Sequence, residues 1–171
     1  MSFTSSPAVD QVFIGLKAWI QDALGLSNPF VVRELGNGVP PPNGPYVCMT
    51  QKGLKKLGMN VTNYQPITQE SILQAFDFTV QVDCYGPASS DWAVVLSTVW
   101  QHQLAVDFMA AYGVTPLWAE DPIEMPVVNG EQQYEKRWIV QLHLQYQPST
   151  VAPQQFMAAA SIVPISVETL H

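Results

Sequence analysis

Apolar positions along the chain recur with two periods, and the period separates helix from strand. Val9, Val12, Phe13, Leu16, Trp19, Ile20 and Leu24 return every three or four residues, which makes one broad face of a helix. Ser6-Pro7 offers an N-cap followed by proline in the first turn, Asp10 sits where the helix dipole favours an acid, and Gly25 supplies the stop. A second helix is predicted from Asp91 to Tyr112. Its stripe is Trp92, Val95, Leu96, Val99, Trp100, Leu104, Phe108 and Ala111, and Gly113 closes it.

Strict alternation marks two strands. Phe76, Phe78, Val80, Val82 and Cys84 alternate with Asp77, Thr79, Gln81, Asp83 and Tyr85. Trp138, Val140, Leu142, Leu144 and Tyr146 alternate with Ile139, Gln141, His143, Gln145 and Gln147. Shorter extended segments are predicted at Phe30–Leu35 and Tyr46–Thr50. Leu117–Glu120 and Ala158–Val167 read as edge strands because prolines surround or interrupt them. Gly36–Pro45 can be neither helix nor central strand, Asn129-Gly130 is a turn signal, and Lys52–Gly58 reads as a projecting loop or hairpin tip. The order is helix, strands, helix, strands. It predicts an α+β fold in which a mostly antiparallel sheet carries two main helices on one face, joined by long loops. Residues 1–171 read as a single domain, with no internal repeat.

Composition adds exclusions. Of 171 residues 47% are hydrophobic and only 12% charged, the reverse of a disordered chain. No apolar run reaches the roughly 18–20 residues of a membrane-spanning helix. The first 24 residues lack the basic start and apolar block of a signal peptide. The net charge of −7 argues against non-specific nucleic-acid binding through phosphate neutralisation. Cys48 and Cys84 lie in apolar stretches and are expected as buried thiols rather than a disulfide.

The distribution of charge says more than its sum. Ten acids and no Lys or Arg lie between Lys56 and Lys136, and Lys52, Lys55 and Lys56 stand together just before that gap. A solvated surface has this look, and so does a subunit that docks an acidic body against a basic loop of its neighbour. The polar faces of the two alternating strands pose a second choice. Asp77, Gln81 and Asp83 on one, with Gln141, His143 and Gln145 on the other, could be a wetted sheet, a subunit interface, or the wall of an aqueous passage for a polyanion. Acids repel phosphates, and amides bind them weakly enough to let them slide.

Nothing in the pattern calls for catalysis. There is no G-x-S-x-G elbow, no glycine-rich phosphate loop and no His/Cys cluster at metal-ligand spacing, so no catalytic residue, cofactor or metal is assigned. His102 reads as a structural histidine in its helix, and Glu120, Asp121 and Glu124 as solvated loop acids.

Gln132–Trp138 running into Leu142–Tyr146 resembles a pattern of tailed-phage neck or tail terminator proteins. Gly44-Pro45-Tyr46-Val47, Val82–Gly86 and Val151–Phe156 resemble the same family, in the same order along the chain. The resemblance implies a structural virion protein at the tail–neck junction, assembled in the host cytoplasm. It implies a ring, commonly hexameric, that caps the tail tube and joins it to a head-side connector while viral DNA passes through the lumen without specific binding. Its expected partners are further copies of itself, the tail tube protein, the connector protein and, in a contractile tail, the sheath protein. Another tail-tube or head-completion ring protein is the nearest alternative, and a small-molecule-binding or enzymatic α+β domain a more distant one.

Overall fold

In the computed structural model, which describes residues 5–6, 8–27, 30–34, 40–65, 69–128 and 134–153, the two alternating segments are neighbouring central strands. The chain runs β1 (Ser5–Ser6), α1 (Val9–Leu24), β2 (Val31–Arg33), β3 (Tyr46–Lys56), β4 (Val61–Gln65), β5 (Gln69–Leu73), β6 (Phe76–Tyr85), α2 (Ser89–Trp100) and α3 (Gln103–Ala110). It continues through β7 (Val114–Ala119), β8 (Ile123–Glu124), β9 (Val127–Val128), β10 (Tyr134–Glu135), β11 (Arg137–Tyr146) and β12 (Ser149–Pro153). A six-stranded sheet has the order β2-β3-β6-β11-β7, with β8 also on β11. Four strands form a second sheet in the order β1-β12-β5-β4, and β10 pairs with β9. All pairings are antiparallel except β2 with β3. The fold is α+β, as the sequence pattern predicts.

One face of the large sheet holds the core. Phe78, Val80, Val82 and Cys84 of β6 and Val140, Leu142 and Leu144 of β11 are fully or almost fully buried against Val12, Leu16 and Ile20 of α1 and Leu96 and Trp100 of α2. Edge-to-face rings join α1 to the sheet at Phe13 and Phe78, 5.8 Å apart, and α1 to α2 at Trp19 and Trp100, 4.8 Å apart. Helix α2 lies on β6, β11 and β7, α3 lies on β7, and α1 packs on β2 and against the other two helices.

The structure differs from the sequence reading in its details. The long second helix breaks at Gln101–His102 into α2 and α3. The His102 ring accepts the Leu104 N–H at 3.2 Å and so caps α3. The break shifts the helical phase: Ala105 and Met109 enter the core, while Leu104 turns out to 67% exposure and Ala111 is also exposed. Ahead of the break, Val95 of α2 is exposed as well. Ala8, not Ser6, is the N-cap of α1, without a side-chain cap, whereas Gly25 does terminate it in the left-handed conformation at φ 63°. Lys52, Lys55 and Lys56 belong to the end of β3 rather than to a loop. A bulge between Gln51 and Gly53 lets that strand stay paired with β6 as far as Lys56. Asn129-Gly130 and the Ala158–Val167 segment lie outside the described residues.

Candidate functional site

Strand register decides which polar side chains meet. Gln81 lies opposite Gln141, Thr79 opposite His143, Asp77 opposite Gln145, and Asp83 opposite Ile139, so all six sequence candidates share the face turned away from the core. That face is not bare. Asp77 is 7% exposed, Asp83 3% and His143 9%, and Gln81, Gln141 and Gln145 are half-buried.

Two hydrogen-bonded groups explain how acids can be buried there. Arg137, the first residue of β11 and in phase with the polar positions, donates from Nε and Nη2 to Asp83 Oδ1 at 3.0 and 2.8 Å. Gln81 donates to the same carboxylate at 2.8 and 3.0 Å. Burial opposes the charge on Arg137, but the hydrogen bond to Asp83 and its charge outweigh that and raise the pKa. In the second group His143 Nδ1 lies 3.0 and 3.1 Å from the Asp77 oxygens and 3.3 Å from Thr79 Oγ1. Its Nε2 lies 3.3 Å from Glu120 Oε1, and Gln141 donates to Glu120 Oε2 at 2.8 Å. Trp118 stacks on the imidazole at 4.3 Å and 17°, and the Trp100 indole N–H donates to the His143 carbonyl at 2.9 Å.

This adds to one sequence reading, which grouped only acids, amides and a histidine on the polar face, and corrects another. The polar face also carries basic residues: Arg137 stands on it and Lys55, opposite Asp77, shares its side. Glu120 is not simply a loop acid in water, because the pairing of β7 with β11 brings it to His143. Continuing the alternation back by two residues from Ile139 would have found Arg137. Only the pairing of β7 could reveal Trp118 and Glu120.

A corner of the sheet gathers three of the segments that carried the resemblance. Tyr46 and Tyr85 stack at 4.5 Å and 10°. Gly86, at φ 108°, lets Pro45 sit where a Cβ would be 2.8 Å from its ring, and donates to the Lys136 carbonyl at 3.1 Å. An open cleft of about 790 Å³ lies beside them, lined by Pro42, Pro45, Tyr46, Gly86, Tyr134 and Lys136 among others. Burial raises the pKa of Tyr46 and also of Tyr85, where the Arg137 charge only partly opposes it. Cys48 and Cys84 are buried thiols, and burial together with the Asp83 charge pushes Cys84 up to about 12. Among the described residues no group of three or more His, Cys, Asp or Glu is arranged to hold a metal ion, and no helix is long and apolar enough to cross a membrane.

A family described as phage neck terminator protein matches residues 10–168 of the chain. The chain belongs to that family. Membership makes it a structural component of the phage neck and places it in the virion. No curated protein matches it. One solved chain aligns at 12% identity over 89% of this chain and 99% of its own length, with a TM-score of 0.39. Another, from the virion of a native gene transfer agent particle, aligns at 14% identity over 84% of this chain and 99% of its own, with a TM-score of 0.38. The assignment to the phage neck terminator family rests on the family match alone.

Proposed function

We propose that this neck terminator protein acts as one unit over residues 1–171, in a closed ring of identical copies, hexameric as the resemblance implies. The ring caps the finished tail tube and joins it to the head-side connector, and the genome passes through its lumen without specific binding. The role is structural, not catalytic. Further copies of itself, the tail tube protein and the connector protein are its partners, with the sheath protein added where the tail contracts, and assembly takes place in the host cytoplasm. The observation that carries this reading is the family match over residues 10–168.

The polar face of β6 and β11 is proposed as the lumen wall. It offers half-buried amides at Gln81, Gln141 and Gln145, and its three carboxylates Asp77, Asp83 and Glu120 outnumber its two cations Arg137 and Lys55, so it gives DNA phosphates little to hold. Lys52, Lys55 and Lys56 are proposed to dock on acidic surface of a neighbouring copy or of the next ring.

Mass photometry and negative-stain imaging of the purified protein, alone and with tail tubes, test the ring. Closed rings, free or seated on tube ends, are expected. A persistent monomer that adds nothing to the tubes would overturn the reading.

A further inference from the structure

Two edges of the large sheet combine exposed apolar side chains with charge of a single sign, and the signs are opposite. Strand β2 pairs with β3 only over Val47–Met49, so beyond Met49 the outer side of β3 has no sheet neighbour among the described residues. That open stretch carries Lys52, Lys55 and Lys56, all exposed. Beside them lie Leu54 at 43% exposure, Leu57 at 46%, Met59 at 92% and Val61 at 57%. Lys55 is opposite Asp77 and Lys56 opposite Phe76, so the cations flank the strand end on both faces. The other edge of the sheet is β7 and β8. There Trp118, Ile123 and Met125 are 42%, 57% and 52% exposed, and Glu120, Asp121 and Glu124 stand among them.

Single exposed apolar residues are ordinary, but here they cluster at two sites, each bordered by one sign of charge. Lysines on an open strand edge also discourage indiscriminate strand pairing, which leaves side-chain docking on an acidic surface as the favoured contact. We infer that each edge is occupied by a second copy of this chain, the basic end of β3 in one copy seated against the β7–β8 edge of the next. Because the two patches differ and lie on different edges, the contact is heterologous, and repeating it closes a ring when the rotation per copy permits. The patches are diagonal to each other: Lys55 is level with Gln145, whereas Ile123 is level with Ile139. The strands must therefore run obliquely to the ring axis. The inference rests on the ring reading and names its lateral interface.

Charge swapping tests it. Lys55→Glu with Lys56→Glu makes both edges acidic, and Asp121→Lys with Glu124→Lys makes both basic. All four side chains are exposed and take no part in the polar-face network, so both variants are expected to melt like the parent. By mass photometry at low salt, each variant alone should lose at least nine-tenths of its rings, and an equimolar mixture should regain most of them, with the two variants alternating. If a double variant melts early, Lys55→Glu and Asp121→Lys replace the pairs. Assembly of either variant alone at the parent level, or no recovery on mixing folded variants, overturns the interface while leaving the ring intact. A parent protein that never assembles, even on tail tubes, brings down the ring and this interface together.

Discussion

Asp83 shows how much one buried carboxylate can organise. It is 3% exposed, held by Arg137 and Gln81, and next in sequence to the fully buried Cys84. Removing its charge would leave Arg137 without its partner. Fully buried pairs broken in this way cost about 3–5 kcal/mol, and because the Arg137 side chain is 23% exposed water recovers part of that. Asp83→Asn should therefore lower the unfolding free energy by about 2–3 kcal/mol in urea titrations at neutral pH. A loss under about 0.5 kcal/mol would mean that the pair is solvated. Cys84 gives a pH dependence of known sign. Its thiol is raised from 9.0 to about 12 in the fold, so the native state keeps a proton that the unfolded chain releases. Stability from this group is complete below about pH 9 and falls as pH rises towards about 12. Urea midpoints measured between neutral and strongly alkaline pH should decline, and Cys84→Ala should flatten part of the decline. Buried Tyr46 and half-buried Tyr85, raised in the same direction, add to the decline.

At the scale of elements, packing overrules local preference in a way that fixes signs. Gly15 lies in the middle of α1, where alanine would ordinarily gain about 1 kcal/mol. Here a Cβ would press on the Tyr112 ring, 2.8 Å from Cδ2 and 2.9 Å from Tyr112 Cβ. Gly15→Ala should thus destabilise by about 1–2 kcal/mol, since forcing α1 away from the end of α3 exceeds the propensity gain. A stabilised variant in thermal melts would show that the two helices separate at little cost. Phe78, fully buried between β6 and α1, should cost about 3–5 kcal/mol when cut to alanine. Its position was legible from alternation alone, as were β6 and β11, and the helical period gave the body and the end of α1 but not its N-cap. The break between α2 and α3 was not, because Gln101-His102 contains neither glycine nor proline. There His102 caps α3, and the last residue of α2, Trp100, is buried with its indole tied to a strand far along the chain. The second sheet was hidden for a similar reason. Val61–Gln65 and Gln69–Leu73 are rich in Thr, Asn, Gln and Ser, and β5 finds its outer partner only in the distant β12. The candidate site was half legible. Alternation grouped the six polar residues on one face, but the side chains that bury three of them come from β7 and from Arg137.

On the scale of the whole molecule, the arrangement of layers constrains how copies can meet. If neighbours dock through the two edges of the large sheet, its faces are left to point inward and outward. Three helices cover the apolar face. The polar face of β6 and β11, proposed above as the lumen wall, would then look towards the passage, and its chemistry suits a wall past which a polyanion must move. Asp83 is the wrong place to test this, because a lysine there would strand Arg137 and unfold the sheet before it touched DNA. Gln141 and Gln145 are better positions. Both are half-buried on that face, and a lysine at 141 can still reach Glu120 while one at 145 adds a cation beside solvent. With both changed in every subunit, rings should form as before, and DNA release from reconstituted particles should slow at low salt. Each phosphate contact so created contributes a salt slope of about −0.9, so raising the ionic strength should restore the parent rate. Release at the parent rate in low salt would remove the face from the lumen. Failure of the variant to close rings would instead place these strands in the contact between subunits, where a lysine lacks the partners that the amides had.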